Sequence, residues 1–417
     1  MRMTPLDDWS REKTGGMTMA DWQLKKLRET ITLARNSPFN RGRLPTSLPK
    51  RLDDIQKLPL MDAEDLVRGG LSLLCVSPQK IERIVTLRTS GTTGKAKRLH
   101  FTAEDLELTV DFFARGLPTV VEPGGVIAVM MPCNTPNGVG DLICRGLERI
   151  PAYAVRWGPL SSFADTAAML QAENVTAIVG NPIQVFALMR YLAMTDTSTS
   201  LRSVLLSADN VPSVMVRELE ARGLQVYKHF GMTETGYGCA IDCDAHKGQH
   251  IREPDLLVEI LDPITGLPMP DGEWGEIVVT TLSRRGMPLI RYRTGDHSRI
   301  LPGICPCGSL LRRLDDVRGR WKDEISLSGS LLTIPDMDEA IFELPQVMDY
   351  MPEIEPGTLR LHVTTFAGMK PLEIDEVQEA LLTIPALNKL KKAIQIEPCR
   401  DYSPLHQAKR SFTILGG

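Results

Sequence analysis

The segment RTSGTTGKAKRLHFT, at residues 88–102, combines glycines, hydroxyl side chains and basic side chains directly after the short apolar run at residues 84–87. Glycines let backbone N–H groups turn toward a ligand, and hydroxyl and ammonium groups add further donors and positive charge. This combination suits a polyphosphate. The segment is not a Walker A loop, since only two residues separate Gly91 from Gly94 where that loop has four. Taken alone, it would more often be a flexible surface turn, so other segments have to decide its role.

Several segments together change this interpretation. The string TSGTTGKAK (89–97) resembles the phosphate-binding signature of the adenylate-forming enzymes, the superfamily of acyl-CoA synthetases, peptide-synthetase adenylation domains and luciferases. Three later segments resemble further motifs of that superfamily in the right order: HFGMTETG (229–236), RYRTGD (291–296) and the hinge-like GRWKDE (319–324). The resemblance extends over essentially the whole chain. Because it includes motifs of the site, the expected function does not depend on a shared fold alone.

Within the superfamily, the chain is similar to the phenylacetate–CoA ligase branch. The strings ARNSPFNRGRL (34–44), GQHIREPDLLVEILDP (248–263) and CPCGSLLRRLDDVRGR (305–320) carry this likeness. The resemblance implies that a carboxylic acid, aromatic or another small organic acid, attacks the α-phosphate of ATP, which gives an acyl-adenylate and pyrophosphate. Coenzyme A then takes the acyl group. Ser328 stands where the branch has an arginine, which keeps a carrier protein or another non-CoA acceptor open as the alternative.

The resemblance also implies roles for individual residues at the phosphates. The phosphate-binding set comprises Ser90, Gly91, Thr92, Thr93, Gly94, Lys95 and Lys97. In the Thr-Glu motif, Thr233 would contact the α-phosphate and Glu234 would bind Mg²⁺, a hard cation that prefers oxygen ligands. A site that brings a carboxylate to a phosphate must neutralise charge and hold both groups in line. These residue types are suited to both tasks.

For the nucleoside, Asp296 matches the aspartate that accepts hydrogen bonds from the ribose hydroxyls. The remaining nucleotide contacts implied by the resemblance are Ala208, Asp209, Phe230 and Gly231 around the adenine, and Arg313 and Arg320 at the ribose or phosphates. Phe230 taken alone is equally well explained as a core aromatic at the end of a strand. The resemblance thus draws the nucleotide site from widely separated segments.

The segment LHQAKRSF (405–412) resembles the lysine-containing string near the end of these enzymes. By position, Lys409 would bridge the substrate carboxylate and the α-phosphate during adenylation. This role requires a small C-terminal domain that closes over the site, with GRWKDE as its hinge. Lys322 in that hinge stands where the family often has aspartate.

A group of cysteines and histidines indicates a metal site. Cys305 and Cys307 form a tight pair of thiols, and Cys239, Cys243, His246 and His250 precede them. Such a set can make a tetrahedral structural zinc site. Some members of the branch carry a comparable set, which matches Cys243, His250, Cys305 and Cys307 by position. His246 or Cys239 remains open as a substitute ligand.

The composition limits the classes of partner and compartment. The 417 residues carry a formal net charge of −4, so no global basic field favours nucleic acid or an anionic membrane. The start of the chain is polar, and its longest apolar runs are too short to span a bilayer. We therefore expect a cytoplasmic protein with reduced thiols, with no nucleic-acid or membrane partner. A homodimer is an expectation from the resemblance to the branch alone.

The elements that position these residues follow from hydrophobic patterns. Strands are predicted at residues 125–132, 152–155, 176–179, 203–208 and 225–230, with helices between them. Repeated strand–helix units predict mostly parallel sheets flanked by helices. Strands at 256–263 and 275–282, joined by a Pro/Gly-rich turn, predict a small antiparallel or β-barrel-like part. We therefore predict an α/β protein with a large AMP-binding domain at 1–320 and a small, mobile C-terminal α+β domain at 321–417.

Overall fold

The predicted α/β class is confirmed by a computed structural model, which describes residues 5–88, 96–320, 324–327, 330–355, 358–388, 394–398 and 412–414. The helices are α1 (Pro5–Thr14), α2 (Met19–Ala34), α3 (Ala63–Gly69), α4 (Ala103–Gly116), α5 (Val139–Leu147), α6 (Phe163–Ala172), α7 (Pro182–Met194), α8 (Ser213–Ala221), α9 (Ile334–Ile341), α10 (Ile374–Leu382) and α11 (Pro385–Asn388). The strands are β1 (Ile81–Arg88), β2 (Ala96–Thr102), β3 (Val126–Met130), β4 (Tyr153–Arg156), β5 (Ala177–Gly180), β6 (Ser203–Ser207), β7 (Gln225–Phe230), β8 (Ala240–Ile241), β9 (Gln249–Ile251), β10 (Leu256–Leu261), β11 (Gly275–Thr281), β12 (Tyr292–Ser298), β13 (Ile300–Leu301), β14 (Arg313–Leu314), β15 (Ile325–Leu327), β16 (Ser330–Leu332), β17 (Val347–Glu355), β18 (Thr358–Thr365), β19 (Ile394–Pro398) and β20 (Thr413–Ile414).

The chain divides into two compact units. The first unit comprises Met1–Pro123, Thr135–Pro151 and His229–Val317. The second unit comprises Gly124–Asn134, Ala152–Lys228 and Arg318–Gly417. The C-terminal segment therefore shares a unit with the central strand–helix repeats. The predicted domain boundary at residue 320 and the mobility of the segment beyond it stay predictions.

The first unit is built mainly from antiparallel strands. Strands β1 and β2 form a hairpin, and β10, β11 and β12 form a three-stranded antiparallel sheet where the small barrel-like part was predicted. Helix α4 begins at a capping box, because the Thr102 hydroxyl accepts from the Asp105 N–H and the Asp105 carboxylate accepts from the Thr102 N–H. Apolar residues of β2, α4 and the following segments pack into a buried cluster beneath the hairpin. The hairpin is thereby fixed at its base.

The second unit contains the predicted parallel sheet. Its strands lie in the order β7, β6, β5, β3, β4, and the pairs β5–β6, β3–β5 and β3–β4 are parallel. The residues of β5 and β6 are all buried and mostly apolar, as expected for a sheet that is covered on both faces. Helix α7 is capped by Asn181, whose side chain accepts from the Ile183 and Gln184 N–H groups. Sequence patterning thus determines this part directly.

The C-terminal segment joins the core of the second unit. Apolar residues of α9, β17 and β18 belong to the same buried cluster as those of α7 and α8. Arg190 of α7 is 4% exposed and donates to the carbonyl oxygens of Phe342 (2.7 Å), Leu344 (2.8 Å) and Val347 (2.9 Å). Its guanidinium also lies 4.1 Å from the centre of the Phe186 ring. The buried charge is therefore balanced by the Glu218 carboxylate of α8, which accepts from Arg190 over 2.6 Å, and its remaining N–H groups are satisfied by the C-terminal backbone.

Among the residues that the structure describes, every helix is too short or too polar to cross a bilayer.

Candidate active site

The predicted phosphate loop connects the two strands of the β1–β2 hairpin. The last register pairs before the connection are Leu87 with Lys97 and Arg88 with Ala96. Six of the predicted phosphate-binding residues lie outside the described residues, namely Ser90, Gly91, Thr92, Thr93, Gly94 and Lys95, as does the predicted catalytic Lys409. Lys97, on the outgoing strand, is described. The sequence predicted a strand before the loop; the antiparallel strand after it was not predicted.

Lys97 and Glu234 form a buried ion pair. The Lys97 ammonium donates to Glu234 Oε1, and the two side chains are 12% and 5% exposed. The Tyr292 hydroxyl donates to the same oxygen over 3.3 Å. A buried carboxylate needs such partners, because an unpaired charge is costly away from water. The structure therefore brings together the predicted phosphate-binding lysine and the predicted Mg²⁺ ligand, which are 137 residues apart in the sequence.

A single helical turn after β7 presents Glu234. Thr233–Thr235 form a 3-10 turn that ends at Gly236, whose φ of +77° lies in the left-handed region that glycine adopts most readily. The half-buried Thr233 lies at the start of this turn. A Cβ on Gly231 would lie 1.8 Å from the Tyr237 carbonyl oxygen, so only glycine fits there. The predicted motif thus has clear backbone requirements of its own.

Arg284 holds the backbone of Glu234. Its guanidinium donates to the Glu234 carbonyl over 2.7 Å and to the His100 carbonyl over 3.3 Å, and it lies 4.2 Å from the centre of the Phe101 ring. Burial lowers the pKa of this guanidinium, while the Asp105 and Glu234 carboxylates oppose that shift. Arg284 therefore ties the Thr-Glu turn to the strand that leaves the phosphate loop.

Helix α4 in turn fixes the loop that carries Arg284. The Asp105 carboxylate accepts from the N–H groups of Arg285 (2.6 Å) and Gly286 (2.9 Å) as well as from its own helix start. Sequence reasoning missed Arg284 and Asp105 as members of the site. The helix-start pattern at Thr102–Asp105 was readable, but nothing in it indicates a partner 180 residues away.

Asp296, the predicted ribose ligand, lies in β12 and is 1% exposed. Its backbone N–H donates to the Thr294 hydroxyl over 3.0 Å, and that hydroxyl donates to the Ile277 carbonyl over 2.8 Å. Phe230, the predicted adenine contact, is buried in an apolar cluster with residues of β8 to β11. Its position fits the core-aromatic alternative, and its contact with adenine stays a prediction.

The remaining predicted nucleotide contacts occupy varied surroundings. Ala208 is exposed in the second unit with a φ of +79°, and the Asp209 carboxylate accepts from the Asn210 N–H over 2.9 Å. Arg320 is half-buried in the same unit. Arg313, in the first unit, donates to the carbonyls of Lys247, Pro302 and Gly303. These bonds give Arg313 a structural task, while its predicted ribose or phosphate contact is untested.

The four cysteine and histidine residues matched by position come together in the first unit. Potential ligand atoms of Cys243, His250, Cys305 and Cys307 all lie within 4.8 Å of one another. The Cys243 and Cys305 sulfurs are 3.7 Å apart, and Cys307 Sγ lies 3.4 Å from His250 Nε2. Tetrahedral zinc with bonds of about 2.3 Å to sulfur and 2.0 Å to nitrogen gives edges of about 3.8 and 3.5 Å. The donor set therefore fits zinc in size and type.

The surroundings prepare His250 as a ligand. His250 Nδ1 lies 3.2 Å from the Leu311 carbonyl oxygen, and a proton on Nδ1 leaves Nε2 free to bind a metal. Burial lowers the pKa of His250, which favours the neutral imidazole that a metal requires. Burial and neighbouring thiols raise the pKa of Cys243, and burial is the main cause of the raised pKa of Cys307. A cation would reverse the preference of these thiols for the neutral form.

The two substitute ligands lie differently. Cys239 is fully buried, and burial raises the pKa of its thiol to about 12. His246 is exposed with a φ of +46°. Neither belongs to the group that the structure gathers within the described residues, so its geometry favours His250 over His246.

Comparisons with known proteins show the family to which the chain belongs. The family described as AMP-binding enzyme matches residues 24–283. Phenylacetate-coenzyme A ligase of Aromatoleum evansii is 28% identical over 368 residues, which cover 85% of this chain and 81% of that protein. The Escherichia coli K12 enzyme of the same name is 29% identical over 331 residues, 77% and 74% of the two chains. The crystal structure of 2-hydroxyisobutyryl-CoA ligase in the postadenylation state has a TM-score of 0.78 at 20% identity, over 94% and 88% of the chains.

Proposed function

Because the chain belongs to the AMP-binding enzyme family, in its phenylacetate–CoA ligase-like branch, we propose that its substrate is a small aromatic carboxylic acid. The reaction type follows from the family: the chain is an AMP-forming acid–CoA ligase that works through an acyl-adenylate. The aromatic substrate is supported by the names of the relatives. By its position directly after the Thr-Glu turn, Tyr237 is proposed to line the acid pocket; its ring stacks on Phe101 at 6.1 Å between centroids.

The observation that supports the adenylation chemistry is the contact of Lys97, Glu234 and Tyr292. Adenylation brings two anions together. The Lys97 ammonium can offset the negative charge of the phosphates, and the Glu234 carboxylate can bind the cation that accompanies them. With nucleotide bound, Lys97 would turn its ammonium from Glu234 to the phosphates. Mg²⁺, when bound, would supply positive charge at the phosphates with Glu234 as an oxygen ligand.

The acid oxygen would attack the α-phosphorus, the bond to the pyrophosphate oxygen would break, and pyrophosphate would leave. The coenzyme A sulfur would then attack the acyl carbon and AMP would leave. Lys409 is proposed to bridge the acid and the α-phosphate in the first step, as the motif predicts. Asp296 is proposed to accept from the ribose hydroxyls. The predicted cytoplasmic location and homodimer stay predictions.

We further propose that Cys243, His250, Cys305 and Cys307 bind a structural zinc ion. Such a site would fasten the loop that carries Cys305 and Cys307 to the segment of Cys243 and strand β9. The same loop is held at its far side by Asp7 of α1, whose carboxylate accepts from the Ser309 hydroxyl over 2.7 Å. Zinc here would stabilise the first unit and take no part in the reaction.

The function is tested by ATP–pyrophosphate exchange over a panel of carboxylic acids, followed by thioester formation with coenzyme A. We expect exchange that depends on an added aromatic acid, and a thioester of the same acid. Exchange with small aliphatic acids alone would contradict the aromatic substrate. Acid-dependent exchange without a coenzyme A thioester would favour the carrier-protein or other acceptor. Exchange without any added acid would contradict acid activation.

A further inference from the structure

Helix α8 obtains its N-terminal cap from another part of the chain. Its N-cap residue is Pro212, which makes no side-chain cap bond, yet the first N–H groups of any helix need acceptors. The Glu339 carboxylate of α9 accepts from the Ser213 N–H (2.5 Å), the Ser213 hydroxyl (2.7 Å) and the Val214 N–H (3.1 Å). A carboxylate there also complements the positive end of the helix dipole. Glu339 therefore caps α8 from 126 residues away.

The preceding residue of α9 holds the same loop at a second point. Asp338 is fully buried and accepts from the Asn210 side-chain amide over 3.2 Å. Its other carboxylate oxygen accepts from the Tyr350 hydroxyl over 2.5 Å, which fixes the orientation of the carboxylate. Asp338 and Glu339 thus bind the segment of Asn210 and Ser213, which follows Ala208 and Asp209 in the sequence.

The backbone just before this segment is strained. Ala208 has a φ of +79°, a region that residues with a Cβ rarely adopt and that costs on the order of 1–3 kcal/mol. Such a conformation persists only where neighbouring contacts impose it. Within the second unit, the bonds from α9 to Asn210 and Ser213 are contacts that can do so. An exposed, strained loop that is held in place by contacts from α9 can present its backbone to a ligand.

We propose that Asp338 and Glu339 are positioning residues for nucleotide binding, because they hold the loop of Ala208 and Asp209 in its adenine-binding conformation. This inference rests on the proposed function and on the motif resemblance that places adenine at Ala208 and Asp209. The C-terminal segment then sets the affinity for ATP without touching the nucleotide. Linkage makes the effect reciprocal: ATP that binds the held loop also stabilises the docking of α9.

The test measures ATP binding by calorimetry in the full-length protein with Mg²⁺. Glu339→Ala should weaken ATP binding about fivefold to tenfold. This is the effect expected if the free energy lost with the helix cap lowers the fraction of protein whose loop is held for ATP. It should also reduce the preference for ATP over GTP, because a loop that is no longer held in place would discriminate less well between adenine and guanine. The control is Glu343→Gln, since Glu343 pairs with Arg217 of α8 with both side chains more than half exposed and leaves the loop contacts intact. Equal ATP affinity and equal discrimination in Glu339→Ala and Glu343→Gln would overturn the proposal.

A second variant guards against an effect of misfolding. Asn210→Ala removes the loop side of the Asp338 contact and leaves α9 unchanged, so it should weaken ATP binding in the same direction. Wild-type affinity in Asn210→Ala together with a lowered unfolding temperature in Glu339→Ala would reduce Glu339 to a structural cap and overturn the proposal. If the wild type binds ATP but shows no acid-dependent exchange, the proposed function fails while the affinities still judge the positioning role. Absence of ATP binding in the wild type would overturn both.

Discussion

Two polar clusters of the first unit differ in how their charge is balanced. At Glu234 the chain supplies the balance itself, through the Lys97 ammonium and the Tyr292 hydroxyl. At the Cys243–His250–Cys305–Cys307 cluster, burial raises the pKa of the Cys243 and Cys307 thiols and lowers the pKa of the His250 imidazole, which favours their neutral forms. A metal bound at Glu234, as proposed, would therefore displace an existing cation, whereas a metal bound at the cysteines would favour the thiolate anions that it binds. The proposed Mg²⁺ would therefore arrive with the nucleotide, whereas the proposed zinc would remain bound.

The largest expected effect comes from Glu234→Gln, which removes the charge and keeps the size. We expect acid-dependent pyrophosphate exchange to fall on the order of 100-fold, because one electrostatic contact to the reacting groups is lost. The zinc content should not change. Exchange rates close to the wild type would contradict the role of Glu234, and lost zinc would contradict the independence of the two clusters.

The next effect concerns the cysteine cluster. Elemental analysis of freshly purified protein should find zinc in the wild type and not in Cys305→Ser, which should also unfold several degrees lower. Cys75→Ser is the matched control, because Cys75 is a half-buried cysteine of the first unit outside the cluster. A wild type without zinc would remove the metal from this proposal. A Cys305→Ser protein with its zinc and unfolding temperature intact would remove Cys305 as a ligand.

The smallest effect tests the positioning of Glu234. Arg284→Lys keeps the positive charge but cannot reach both the Glu234 and His100 carbonyls, so exchange should slow about fivefold, comparable to one lost hydrogen bond. The concentration of Mg²⁺ that gives half-maximal exchange should rise with it. A variant that only unfolds earlier, with an unchanged Mg²⁺ requirement, would show that Arg284 supports the fold and not the metal ligand.

Much of the fold was predictable because hydrophobic patterns are local. Strand β7 was predicted at its observed bounds, and helices were predicted in the intervals between strands where α7 and α8 lie. Strand β17 was missed, since its sequence VMDYMPEIE contains a proline and lacks clean alternation. The hairpin partner β2 was missed because its basic and polar residues, AKRLHFT, follow a glycine-rich loop. Patterns of this kind describe one segment and do not name its partner.

The site was predictable only where a motif marks the residue itself. Lys97, Glu234 and the four cluster residues were named from motifs and spacing, and the structure places them in contact within each group. The residues that hold them were not named. Arg284 acts through carbonyl oxygens, which any residue type provides, and Glu339 caps a helix that lies 126 residues earlier. Tertiary contacts of this kind leave no local trace.

The buried guanidinium of Arg190 has a practical consequence for dissecting this chain. Its three carbonyl partners all come from residues 342–347, and its aromatic neighbour Phe186 lies edge-on to Phe342 at 5.8 Å between centroids. A truncated chain that stops before residue 330 would uncover this surface and remove the three carbonyl acceptors of Arg190, while its ion pair with Glu218 would remain. Such a fragment should aggregate on expression, and adding the missing tail as a separate polypeptide should rescue its solubility.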